Sequence, residues 1–127
     1  MSKRDITGAV DFAHLERYSG GDQALVDEVL TLFREQTSVW LRLLDPAAKD
    51  GAWRDAAHSL KGSALGVGAF DVAKACEAAE TEAHSDEGRR AVLLNHIRDA
   101  VDAALSDVAA YEHEQALKSL RGNGGTG

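Results

Sequence analysis

The sequence predicts an all-α fold: an antiparallel four-helix bundle with a short extra helix at its N-terminus. Three observations lead there. The 127 residues include one Pro and are rich in Ala, Leu, Glu and Asp, a composition that favours helix along nearly the whole chain. Aromatic residues make up 6% and runs of β-branched residues are absent, which argues against a sheet. Apolar residues recur at helical spacing in several long segments separated by short breaks, the mark of amphipathic helices joined by tight connections.

The elements follow in order. A short helix is expected over Asp11 to Tyr18, stopped by Ser19-Gly20-Gly21. Asp22 then caps a helix that runs to about Leu44, with Val26, Val29, Phe33, Trp40 and Leu44 as its apolar stripe. Asp45-Pro46 ends it, because the residue before Pro disfavours helical backbone. The next helix starts near Asp50, and Gly66 and Gly68 break it near its end. A fourth spans about Phe70 to His84, and Ser85-Asp86-Glu87-Gly88 reads as a turn. The last runs from about Arg89 to Leu120, with Val92, Ile97, Val101, Leu105, Val108 and Tyr111 on its apolar side. The expected organisation is a loose leader over residues 1–9, one bundle over 10–121 and a flexible Gly-rich tail over 122–127.

Composition removes several classes of function. The formal net charge is -7 and no basic patch is visible, so nucleic acid is not an expected partner. No apolar run approaches a membrane span, and the N-terminus MSKRDITGAVDF lacks the apolar core of a signal peptide. The single Cys, Cys76, gives no disulfide framework. A reducing cytoplasm is the expected location.

The stretch AHSLKGSALGVGAF, residues 57–70, carries the chemistry. At about 100° per residue, Trp53, Ala56, Leu60, Ala64 and Val67 fall on one face of a helix, with Ala57 at its edge. His58 points away from that face, and Arg54, Lys61, Gly62 and Leu65 lie within roughly 60° of it. An ammonium at Lys61, one turn from the ring, favours the neutral, nucleophilic imidazole and suits an anion added to it. Gly62 costs about 1 kcal/mol relative to Ala in a helix interior, a cost that makes sense where something must come close to the ring. Taken alone, the pattern leaves open an ordinary surface His, which is the expected reading of His14, His96 and His113.

Read together with its flanks, the stretch resembles the histidine phosphotransfer (HPt) domain family, whose signature is H-x-x-K-G-S/A on the second helix of a four-helix bundle. GGDQALVDEVLTLFREQTSVWLRLL is similar to the family's first bundle helix, and FDVAKACEAAE to its next; the resemblance covers about residues 10–85. It implies that His58 is the phosphoacceptor, that Lys61 contacts the phosphoryl oxygens, and that Gly62 leaves the ring accessible. It implies that Glu80, where members often carry Gln, accepts a hydrogen bond from the ring Nδ1–H and leaves Nε2 to attack, while Gly68 is structural. Gly66 and Pro46 depart from the family pattern, and Gly66 is expected to fray its helix. The implied activity is a shuttle of a phosphoryl group between receiver-domain aspartates in a multistep phosphorelay. The implied partners are response-regulator receiver domains and a hybrid histidine kinase, and the implied state is a monomer. The chain has no GxxxxGKS-type nucleotide loop and no carboxylate cluster beside His58, so it is expected to lack kinase activity and to bind no cofactor, with Mg²⁺ held in the partner receiver domain. Arg54 and Leu65 are the expected partner-binding residues.

Two other readings compete: a helical adaptor in which His58 is incidental, and a metal-binding bundle built on Glu77, Glu80 and His84.

Overall fold

A computed structural model describes residues 6–126, with side chains as far as Arg121. The described residues form five helices in the order α1 (Phe12–Tyr18), α2 (Gln23–Leu43), α3 (Asp50–Val67), α4 (Phe70–Thr81) and α5 (Glu87–Thr126). Helices α2 to α5 pack in a ring, α2 on α3, α3 on α4, α4 on α5 and α5 back on α2, while α1 lies against α2 and α3. This is the expected four-helix bundle with a short N-terminal helix.

Local chemistry sets the boundaries. Asp11 and Asp22 cap α1 and α2 by accepting from the backbone N–H of His14 at 3.1 Å and Leu25 at 3.3 Å. Gly68 ends α3 in the left-handed conformation, φ 83°, and a paired capping motif closes there: Gly68 N–H donates to Leu65 O and Ala69 N–H to Ala64 O. Gly66 lies inside α3 and does not fray it. The left-handed stop needs φ > 0, and Gly68 supplies it.

Helix α4 ends at Thr81, short of the expected His84. The following residues are pulled into a turn: Glu82 takes a two-pronged hydrogen bond from Arg89 at 2.7 and 2.9 Å, and the Ala83 carbonyl accepts from Arg90. Asp86 caps α5 by accepting from Arg89 N–H at 2.8 Å, so α5 begins at Glu87 rather than Arg89. At the other end α5 reaches Thr126, past Leu120 and into the expected tail. Gly weakens a helix there without forbidding it as Pro does, so the Gly-rich composition set no firm stop. Gly127 lies outside the described residues.

The core is built from the predicted faces, with two changes of phase. Val26, Phe33 and Leu44 are buried as expected, Val29 and Trp40 partly so, and Leu30 and Thr37 join them. The Thr37 hydroxyl donates to Phe33 O at 2.6 Å, so its burial leaves no polar group unpaired. On α5, Val92 is exposed and Leu105 only partly buried; Leu93, Leu94 and Ala104 complete the stripe with Ile97, Val101, Val108 and Tyr111. Val92 sits about 140° from Ile97 around the helix, outside the arc that faces α2 and α4.

The leader is the larger correction. Residues 1–5 lie outside the described residues, but 6–9 are not loose. Val10 and Ala9 are buried, Ile6 packs against the core, and the segment is hydrogen-bonded to Asp107 on α5. Two further contacts lock the bundle. Trp53 Nε1–H donates to Ala79 O at 2.9 Å, tying α3 to α4. The buried Arg90 guanidinium donates to Pro46 O, Ala48 O and Asp50 Oδ1, joining the α2–α3 connection to the start of α5.

Candidate functional site

Helix α3 buries Trp53, Ala56, Ala57, Leu60, Ala64 and Val67, which turns His58 outward. The His58 side chain is 67% exposed. Its Nδ1 lies 2.9 Å from Glu80 Oε2, so α4 supplies the partner that fixes the ring. The other Glu80 oxygen, Oε1, lies 3.0 Å from Lys61 Nζ. At that distance the ammonium and the carboxylate form an ion pair. Glu80 thus bridges the two α3 residues that the sequence placed one turn apart.

The electrostatics follow from the bridge. Lys61 first, and then the His58 hydrogen bond, hold the Glu80 carboxyl below the usual carboxylate range, against the opposing effect of burial. Glu80 in turn holds the Lys61 ammonium above its ordinary value. An ionised carboxylate only accepts hydrogen bonds, so the ring nitrogen facing it carries the proton. Nδ1–H donates to Glu80, and in the neutral ring the free lone pair is on Nε2, at the exposed edge. The Lys61 ammonium, expected one turn from the ring, is paired with Glu80.

Gly62 is exposed, and a Cβ built on it would meet nothing within 4 Å. Among the described residues no packing requires a Gly at that position, so the space beside the ring is open to what approaches from outside. Leu65 is 46% exposed and does not turn into the bundle, and Arg54 is half-buried on the same face. Cys76, buried near Lys61 and Glu80, has its thiol pushed up to about 12 by burial and is not a nucleophile. Glu80 and His84 face different partners, since His84 Nδ1 pairs with Asp50 at 2.6 Å. Among the described residues no group of three or more His, Cys, Asp or Glu is placed to hold a metal.

The structure sets Leu65 among residues that the sequence did not single out for the site. A groove of about 440 Å³ runs beside Gly62, lined by His14 and Tyr18 of α1, Leu32 and Gln36 of α2, and Leu65 and Gly66 of α3. Tyr18, Leu32, Leu65 and Phe70 are all large apolar residues left exposed. His14 stands edge-on to Phe70, ring centroids 5.6 Å apart, at the rim of the groove. Leu32 carried one usable signal: it has no place in the apolar stripe of α2. Tyr18 carried none, because its neighbours depend on how α1 docks.

The described chain therefore presents a nucleophilic ring nitrogen in the open, a carboxylate behind it, a cation within reach and an apolar surface alongside. No helix among the described residues is long and apolar enough to cross a membrane. No curated protein matches the chain. Among solved structures, the histidine phosphotransferase ShpA from Caulobacter crescentus matches with 52% sequence identity and a TM-score of 0.71, covering 89% of this chain and 99% of that one. The family model described as the Hpt domain matches residues 23–111, a span that holds α2, α3, α4 and most of α5, with His58, Lys61, Gly62 and Glu80 inside it. The chain belongs to the Hpt domain family, and its role is histidine phosphotransfer in a phosphorelay.

Proposed function

We propose that Nε2 of His58 is the atom that carries the phosphoryl group. The observation that supports this reading is the bond from Nδ1–H to an ionised Glu80, with Nε2 left open beside Gly62. In the forward step Nε2 attacks the phosphorus of a receiver domain's aspartyl phosphate. The N–P bond forms, the P–O bond breaks, and its electron pair returns to the receiver's carboxylate. The ring keeps its Nδ1 proton and becomes positively charged, which the Glu80 carboxylate favours. In the onward step a second receiver's carboxylate attacks the same phosphorus. The N–P electron pair returns to Nε2 and restores the neutral ring, and no proton has to move.

Lys61 offers the phosphoryl oxygens a cation. An ammonium carries three N–H donors, so its pairing with Glu80 leaves others to turn to them. Gly62 gives the group and the receiver's pocket room. Phosphoryl transfer has a loose transition state, so positioning and charge neutralisation supply most of the catalysis. The receiver holds the Mg²⁺, and this chain adds none. Leu65 anchors the docked receiver at the groove, and Arg54 meets the acidic rim of its pocket. A hybrid histidine kinase supplies the phosphate, and the chain works as a monomer.

The test is to incubate the chain with a phosphorylated receiver domain. The wild type is expected to take up acid-labile phosphate and His58→Gln none. Equal labelling of His58→Gln would overturn the assignment.

A further inference from the structure

We propose that Asp107 is a positioning residue for receiver docking: through the strap of residues 6–11 it holds α1 at the docking groove, and it has no part in the chemistry at His58. The inference rests on the phosphotransfer reading above.

Asp107 is fully buried on α5. A buried carboxylate is costly unless its oxygens are met by donors. Here the donors come from the strap: Thr7 N–H at 2.8 Å and the Thr7 hydroxyl at 3.0 Å reach Oδ1, while Gly8 N–H at 3.1 Å and Val10 N–H at 3.3 Å reach Oδ2. Gly8, at φ 95°, permits the bend that turns these N–H groups to one point. The strap is pinned again where Asp11 N–H donates to Gly68 O at 3.0 Å. The approach there is close enough that a Cβ on Gly68 would lie 2.8 Å from Asp11 O.

Helix α1 has seven residues, too few to hold its place by its own hydrogen bonds. Its seat depends on these anchors together with three contacts of its own: Phe12 stacks on Tyr111 of α5 at 4.2 Å, Leu15 is buried in the core, and Glu16 accepts from the Tyr111 hydroxyl at 2.8 Å. From that seat it delivers His14 and Tyr18 to the groove beside Gly62. None of the anchoring contacts involves His58, Lys61 or Glu80. Loosening the clasp therefore disturbs the surface a receiver meets and leaves the nucleophile and its carboxylate as they are.

Two donors separate docking from chemistry. Phosphoramidate, a small phosphodonor, reaches His58 without docking; a phosphorylated receiver must dock. Asp107→Asn keeps the shape but turns one accepting oxygen into an NH₂ that faces N–H donors. Thr7→Val removes one donor and keeps the backbone. In the full-length chain, both variants are expected to take phosphate from phosphoramidate at the wild-type rate. For the receiver, KM is expected to rise about five- to tenfold in Asp107→Asn and less in Thr7→Val, with kcat unchanged. An unchanged KM, or an equal loss with both donors, would overturn the proposal; if Asp107→Asn melts below the assay temperature, Thr7→Val decides by the same criteria. No labelling of the wild type by phosphoramidate would instead count against His58 as phosphoacceptor.

Discussion

Replacing Glu80 by Gln keeps the shape of the side chain and removes its charge. The amide oxygen of Gln still accepts from Nδ1–H of His58, so ring orientation is retained. What is lost is the charge-assisted part of the bond and its pull on the positive ring that forms with the N–P bond. Hydrogen bonds to charged groups contribute about 1.5–3 kcal/mol and neutral ones about 0.5–1.5, a difference of roughly 1 kcal/mol. His58 is 67% exposed, and solvent and salt screen part of that difference. About 0.5–1 kcal/mol remains, or a two- to fivefold slower transfer. Lys61, released from its partner, works in the opposite direction and keeps the expected loss at the lower end of that range. The assay is the single-turnover rate of labelling from phosphoramidate at neutral pH, which isolates the ring from receiver docking. Glu80→Ala, which loses the acceptor as well, is expected to fall further than Glu80→Gln. A Glu80→Gln rate equal to or above wild type would refute the charge argument.

The same carboxylate makes a prediction about pH and stability. The Glu80 carboxyl lies below its ordinary value of 4.5 in the folded chain, chiefly through Lys61, so its stabilising contribution is present above about pH 4.5 and is lost as pH falls through the lowered folded value. The gap in melting temperature between wild type and Glu80→Gln should be at full size above about pH 4.5 and close as pH falls below it; a gap independent of pH would count against the bridge. Gly62→Gln should keep its helical circular dichroism, because the site is open space, and lose transfer from a receiver; near-wild-type transfer would remove the clearance argument. Leu65→Asp should weaken receiver binding by about 1–3 kcal/mol without lowering the melting temperature, while Arg54→Ala does less and mainly slows association. Calorimetric titration beside a thermal melt separates these from a packing defect.

What the sequence made legible follows the range of the interactions involved. The buried face of α3 and the outward turn of His58 are properties of one helix, and periodicity gives them directly. The Glu80 contact crosses from α4 to α3 and was reached only through a family resemblance, since spacing within one helix says nothing about its neighbour. Lys61 shows the limit of local reasoning: one turn from His58 in the sequence, it turns to the carboxylate that α4 brings in. Val92 was misplaced because residue type outweighed helical phase. The strap was misread because Thr7 and Gly8 lie about a hundred positions from Asp107, and a Thr-Gly pair near a terminus carries no mark of a buried carboxylate waiting for it. The groove at Tyr18 and Leu32 depends on where α1 sits, and therefore on that same clasp.

The most direct test of the central claim is the site of the N–P bond. The chain, labelled with ¹⁵N in its His side chains, is phosphorylated from a phosphorylated receiver domain, and nitrogen–phosphorus coupling is read by NMR. One His, His58, should show the coupling, at Nε2, with Nδ1 still bearing its proton. Coupling at Nδ1, or phosphate on another residue with His58 unmodified, would contradict the account.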